Sequence, residues 1–265
     1  LRLRRHRLRR MHRKLAVIDA RVAFVGGINV IDDLDAHTAQ LPPRYDYAVR
    51  IEGPLLADIH GAARRLWTLL RWARRRRRAP ERSKLRPSAE VCGSVTAAFV
   101  IRDNLGHRRD IEEAYLAAIA AAKERIVIAN AYFLPGRRFR RALCEAAQRG
   151  VEVVVLLQGR VEYPLLHYAT QALHAALLGC GVRIFEYRRS FLHAKVAVID
   201  GHWATVGSSN IDPFSLLLAR EANVVVDDGE FARRLGASLR HAMEHGAVEV
   251  RAEDVRRRSL LVRAV

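Results

Sequence analysis

Leu192-His193-Ala194-Lys195-Val196-Ala197-Val198-Ile199-Asp200, closed downstream by Gly207-Ser208-Ser209-Asn210, is the stretch that decides the fold. Its apolar run reads as a strand, Asp200-Gly201 as a hairpin turn, and 203–206 as the returning strand. Residues i and i+2 of a strand share a face, so His193 and Lys195 project together. The same pattern stands near the start of the chain: Met11-His12-Arg13-Lys14-Leu15-Ala16-Val17-Ile18-Asp19, then Gly26-Gly27-Ile28-Asn29. From His to Gly is 14 residues and from His to Asn 17 in both copies. One His-x-Lys-x4-Asp arises by chance on the order of once in a hundred such chains. Two copies with matched Gly and Asn are an internal repeat.

Outward from the second motif, periodicity alternates between strand and helix. Strands are expected at 98–102, 125–129, 152–157, 182–187, 194–199, 203–206 and 222–226, and helices at 109–122, 138–149, 163–178 and 230–243. The first motif carries only the end of that series: strands at 15–18, 22–25 and 45–51 and an amphipathic helix at 55–72. This divides the chain into the C-terminal part of a first repeat (1–78), a linker (79–94) and a second repeat with a basic tail (95–265). Each repeat is expected to be α/β, a mixed sheet flanked by helices.

Of 265 residues, 46 are Lys or Arg and 28 Asp or Glu, a net charge of +18, and half are apolar. That composition excludes global disorder and implies an anionic partner: nucleic acid, lipid headgroups or a phosphorylated substrate. No apolar run reaches the roughly 18 residues of a membrane span, and no signal-peptide pattern opens the chain. Cys92, Cys144 and Cys180 have neither disulfide-framework nor metal-pair spacing and read as buried, reduced thiols of a cytosolic compartment. Only four lysines occur, Lys14, Lys84, Lys123 and Lys195, and two of them hold equivalent motif positions. Where arginine is the default cation, a retained lysine points to a need for a compact ammonium.

Two such units brought face to face assemble two histidines, two lysines and two asparagines around one point. That set suits a phosphodiester: Lys14, Lys195, Asn29, Asn210 and Ser208 bind phosphate oxygens, one imidazole attacks phosphorus, and the other protonates the leaving alkoxide. No metal or other cofactor is called for. A nucleophilic histidine needs a carboxylate on its other nitrogen. Asp46 and Glu221, in the strand that follows each hairpin, are the candidates, each for the histidine of its own repeat. Asp19 and Asp200 complete the catalytic motif, although their strand-end position suits tying the hairpin.

The duplicated motif resembles that of the phospholipase D superfamily. Ile128-Ala129-Asn130-Ala131-Tyr132-Phe133-Leu134-Pro135 and the run from His202 to Pro213 resemble bacterial cardiolipin synthases of the B type. The resemblance covers nearly the whole chain. It implies a phosphatidyltransferase that moves a phosphatidyl group from phosphatidylglycerol to a histidine and then to a lipid hydroxyl, with His12 as nucleophile and His193 as general acid and base. It further implies a peripheral protein on the cytoplasmic side of the inner membrane, with no specific nucleic acid. A phosphodiesterase or nuclease of the same superfamily, and an inactive basic nucleic-acid-binding protein, are the alternatives. Trp67 and Trp72 beside the arginines at 74–78 suit either an interfacial helix or a solvated linker.

About 70 residues of strands and helices precede His193, whereas eleven residues, six of them arginine, precede His12. The first repeat is therefore expected to lack its opening strands, as a fragment, a truncated product, or with that sheet supplied from elsewhere, and to show an open edge. The remaining signals are minor. His241-Ala242-Met243-Glu244-His245 matches a zinc-peptidase pattern but reads as the surface of a closing helix. Asp32, Asp33 and Asp35 read as a solvated loop or helix start. Tyr132-Phe133 suits a lipid entrance or a strand-end core position equally.

Overall fold

The computed structural model describes residues 11–31, 42–73, 85–162 and 164–255. The N-terminal arginines, Asp32, Asp33 and Asp35, and 74–84 of the helix-to-linker stretch lie outside them. The described strands form two sheets. The smaller is an antiparallel meander of β1 (Lys14–Ile18), β2 (Val22–Gly26) and β3 (Ala48–Ile51), followed by helix α1 (Leu56–Ala73). The larger has eight strands: β4 (Thr96–Arg102), β5 (Arg125–Asn130), β6 (Glu152–Gln158), β7 (Arg183–Tyr187), β8 (Lys195–Ile199), β9 (Trp203–Gly207), β10 (Glu221–Asp227) and β11 (Ala247–Glu249). Their spatial order is β11-β7-β6-β5-β8-β9-β10-β4. β5, β6 and β7 are parallel and the remaining pairs antiparallel, which makes the expected mixed sheet.

Helices cover both faces of the large sheet. α2 (Asp110–Ala121) and α3 (Arg137–Gln148) bury Tyr115, Phe139 and Leu143 on Ile126, Ile128, Val153 and Val155. α4 (Pro164–Gly179) contributes Leu177 to the same layer. On the opposite face α6 (Gly229–Gly246) lays Leu235, Leu239 and Met243 on Val127, Val154, Val196 and Val198. Cover on both sides is why β6 reads as an unbroken apolar run rather than an alternating one. The small sheet and α1 dock on that second face, with Ala23, Val25 and Ile51 of the sheet and Leu56 and Ile59 of the helix clustered with Ala222, Val224 and Val226 of β10.

The two hairpins share one register. Leu15 faces Val25 in the first, and at the corresponding place Val196 faces Val206 in the second. Gly26 then meets Ala48 on β3 and Gly207 meets Asn223 on β10. Both turns have a positive φ at the motif aspartate, 51° at Asp19 and 50° at Asp200. The next position is Gly201 in one turn and Ala20, at φ 54°, in the other.

Several expectations need correction. Strand β3 starts at Ala48 rather than Tyr45, because Tyr45 pairs instead with Leu192 of the other repeat. Short helix α5 (Pro213–Leu217) and β11 are additions to the expected series, each too brief for a periodicity to show. Cys144 and Cys180 are not reduced thiols: they form a disulfide with Cα atoms 5.3 Å apart, because the turn after α4 returns the chain to α3. Cys92 is free and exposed, not buried. Within the expected linker, Ser88 N–H donates to the Ala20 carbonyl at 2.9 Å, so its described part lies on the first hairpin.

Among the described strands, β1 and β3 each have one neighbour only, whereas their counterparts β8 and β10 each have two. Ile18 is exposed at the end of β1.

Candidate active site

The two motifs meet through a clasp made twice. Met11 bridges Arg220 in parallel sense and His12 N–H donates to the Arg220 carbonyl at 3.1 Å. Leu192 bridges Tyr45 in the same sense and His193 N–H donates to the Tyr45 carbonyl at 2.9 Å. Arg220 and Tyr45 are equivalent, each standing immediately before the candidate carboxylate. The segment leading into each hairpin therefore runs beside the third strand of the other repeat.

That clasp sets the histidine partners, and they are crossed. His12 Nδ1 lies 3.0 and 3.1 Å from the two oxygens of Glu221, and His193 Nδ1 lies 2.6 Å from Asp46 Oδ2. The sequence expectation paired each histidine with its own repeat. The structure exchanges them, because docking brings each third strand against the neighbouring motif. A carboxylate on Nδ1 fixes the proton there and leaves the Nε2 lone pair available. Lys195 Nζ also lies 2.8 Å from His193 Nδ1 and donates to the His193 carbonyl. Nδ1 has room for one proton, and the short contact to Asp46 places it between those two. Lys14 Nζ correspondingly donates to the His12 carbonyl at 3.0 Å.

The carboxylates are seated differently. Glu221 is fully buried and accepts the Ser208 hydroxyl at 2.6 Å. Ser208 was expected to bind phosphate, but its hydroxyl is spent on Glu221 and also accepts the Ala222 N–H at 3.1 Å. At the equivalent position stands Gly27, where a Cβ would lie 2.3 Å from Asp46 Oδ1. The longer acid is held by a hydroxyl and the shorter one sits where a side chain is missing.

Electrostatically the cluster is one unit. Burial pushes the Lys195 ammonium down to about 7, against the pull of Asp46 and Glu221 and with further lowering by Lys14. Lys14 is pushed down to about 8, again by burial first, against Glu221 and Asp46. Burial also lowers His193, with its hydrogen bond to Asp46 opposing this and Lys195 and Lys14 adding to it. Each lysine thus senses the acids of both repeats. Asn210 is buried with its Oδ1 unpartnered, and so is Asn130 Nδ2 at the end of β5, opposite Lys195. Asn29 lines a cavity of about 80 Å³ with Ile28, Arg44, Asp46 and His193. Two lysines, buried amides and two histidines with their Nε2 lone pairs available can hold and attack a phosphate ester.

Asp19 and Asp200 are not in this cluster. Five residues of strand carry them about 16 Å beyond each lysine. Asp19 sits exposed in its turn. Asp200 accepts the N–H groups of Lys123, Glu124 and Arg125 at 2.8 to 2.9 Å, which ties the hairpin to the start of β5 and lowers its pKa. His241 and His245 stack on the exposed face of α6, and no metal-holding cluster occurs among the described residues. Phe133 is core and Tyr132 is not: its hydroxyl donates to Glu162 at 2.6 Å. Glu162 in turn pairs with Arg44 at 3.2 Å. Sequence reasoning missed Arg44 and Glu162, since one arginine among 42 carries no signal; only its place two residues before Asp46 could have marked it.

Comparison with known proteins gives a consistent picture. Residues 115–243 match the family model described as cardiolipin synthase, PLD-like domain. The chain is 44% identical over 243 residues to cardiolipin synthase B of Escherichia coli K12, an alignment covering 87% of this chain and 55% of that protein. It is 29% identical over 240 residues to minor cardiolipin synthase ClsB of Bacillus subtilis, covering 90% and 57% respectively. The chain therefore spans little more than half the length of these relatives. Among solved structures, phosphatidylserine synthase from Haemophilus influenzae Rd KW20 superposes with a TM-score of 0.64 at 12% identity, over 91% of this chain and 62% of that one, a likeness of fold.

Proposed function

We propose that this chain is a member of the phospholipase D superfamily and, within it, a cardiolipin synthase-like phosphatidyltransferase acting through a phosphohistidine. The observation that carries the reading is the crossed pair of histidine–carboxylate contacts, His12 with Glu221 and His193 with Asp46. It leaves two Nε2 atoms to divide attack and proton transfer between them. In the first step His12 Nε2 attacks the phosphorus of phosphatidylglycerol, the bond from phosphorus to the glycerol oxygen breaks, and His193 gives that oxygen its proton. In the second, an acceptor hydroxyl returns a proton to His193 as its oxygen attacks, and the bond from phosphorus to nitrogen breaks. Lys14, Lys195, Asn29 and Asn210 hold the non-bridging oxygens. The entering phosphate anion opposes the lowering of His193 and both lysines by burial, so substrate charges its own site.

The substrate is an anionic phospholipid in a bilayer, reached from the surface at the cytoplasmic side of the inner membrane. Helix α1 supports this placement: Trp67, Leu69 and Leu70 are exposed near Arg64, Arg65 and Arg71. No described helix is long and apolar enough to cross a membrane. The test is incubation of the protein with phosphatidylglycerol vesicles, with and without ethanol, followed by mass spectrometry of the lipids. Cardiolipin, and phosphatidylethanol when ethanol is present, is the expected outcome. Phosphatidic acid alone indicates a hydrolase, and cleavage of DNA with intact lipid overturns the lipid reading.

A further inference from the structure

Arg44 breaks the symmetry of the site. The phosphorus-handling groups come in equivalent pairs, His12 with His193, Lys14 with Lys195, Asp46 with Glu221, whereas the position equivalent to Arg44 is Ala219. Paired groups treat both sides of a phosphate alike. A cation present on one side reads something that only that side receives. Arg44 borders the same cavity as Asn29, Asp46 and His193, so it lies on the proton-transfer side of the proposed reaction, where alcohols leave and enter. Its guanidinium lies 5.8 Å over the ring of Phe191, and Arg160 lies 6.0 Å over the same ring. Phe191 stands two residues before His193, so both cations lie near the second motif.

We propose that Arg44 forms a second phosphate subsite, with Arg160 near the same Phe191 ring adding positive charge, that selects an acceptor alcohol carrying its own phosphodiester, such as a second anionic phospholipid. This rests on the transferase reading and names the residues that select the acceptor for it. Without substrate, Glu162 holds Arg44 at 3.2 Å and is itself steadied by the Tyr132 hydroxyl. Both partners of that ion pair are partly solvated, so it is weak and an incoming phosphate displaces it readily. The guanidinium offers a planar fork that matches phosphate oxygens in a bidentate manner, which an ammonium does not. On the His12 side Arg13 spends two of its nitrogens on the backbone carbonyls of Glu221 and Arg102, at 2.9 and 3.1 Å, whereas Arg160 spends one on the Arg188 carbonyl at 2.8 Å.

The test is a competition between acceptors. Wild type, R44Q, R44K and R160Q are incubated with phosphatidylglycerol vesicles containing a fixed concentration of ethanol, and the ratio of cardiolipin to phosphatidylethanol is measured. R44Q lowers the ratio at least tenfold, R160Q lowers it less, and R44K recovers part of it. A ratio unchanged in R44Q, with both products present, overturns the subsite while leaving the transferase reading intact. A wild-type protein that makes neither product removes both. If R44Q yields no folded protein, the R44K ratio decides: equality with wild type shows that the fork reads nothing and overturns the proposal.

Discussion

At the scale of the residue, the crossed acids make specific demands. D46N keeps the shape of the side chain but removes the anion that fixes the proton on His193, and E221Q does the same for His12. Each is expected to lower turnover by about 10²-fold or more, the usual worth of one acid–base function, measured as initial rates of lipid product formation. The buried lysines bind protons in step with substrate. With Lys195 near 7 and Lys14 near 8 in the empty site, a phosphodiester analogue binding at pH 8 is expected to draw protons from solution. Titration calorimetry in two buffers of different ionisation enthalpy reads that uptake, and identical heats would contradict it. The same shift governs stability. The folded-state pKa of Lys195 is lowered from 10.5 to about 7, so the unfolded chain binds more protons between those values and stability rises with pH across that window. K195M has no such slope: it is expected to be more stable than wild type at pH 7, with the gap closing towards pH 10.5, as followed by denaturant unfolding. The sequence made His12, His193, Lys14 and Lys195 legible because their spacing repeats. It left the acid partners legible by type but not by pairing, since no spacing within one chain records which hairpin a third strand will meet.

At the scale of the element, the hairpins show what a turn and a glycine contribute. Ala20 occupies a left-handed position that Gly201 fills in the other copy. That conformation costs an L-residue about 1–2 kcal/mol, so A20G is expected to stabilise by up to about 1 kcal/mol once the greater freedom of glycine in the unfolded chain is deducted. Thermal unfolding measures it. Gly27 is the opposite case: G27A puts a methyl 2.3 Å from Asp46 Oδ1. The carboxylate must move, and activity should fall with it even where the fold survives. The disulfide closes a 36-residue separation between α3 and the turn after α4. Chain entropy gives such a link about 4 kcal/mol at most, so C144S should lower the melting temperature and make it insensitive to reductant. Strands and helices were largely legible at this scale, because amphipathic periods of 2 and 3.6 are local. The disulfide was not, because contact between Cys144 and Cys180 is made by the return of the chain after α4, which no local pattern encodes.

At the scale of the whole molecule, the two sheets are unequal. β8 is paired on both sides, by β5 and β9, while β1 has β2 alone among the described strands. Backbone N–H groups on a free edge are protected only by solvent-accessible contacts, so amides on the outer side of β1 are expected to exchange at least a hundredfold faster than those of β8 in hydrogen-exchange mass spectrometry. Equal protection would show that another segment or a second copy covers β1. What remained hidden was the sidedness of the site, since Arg44 acquires meaning only when the first repeat lies against Phe191 of the second.

The exchange of acids between the halves also bears on how damage in this molecule is diagnosed. A lesion at Asp46 silences the imidazole encoded 147 positions downstream, and one at Glu221 silences the imidazole encoded 209 positions upstream. A genetic map of inactivating changes would therefore assign each defect to the wrong half, and excising either half strips the survivor of its tautomer control.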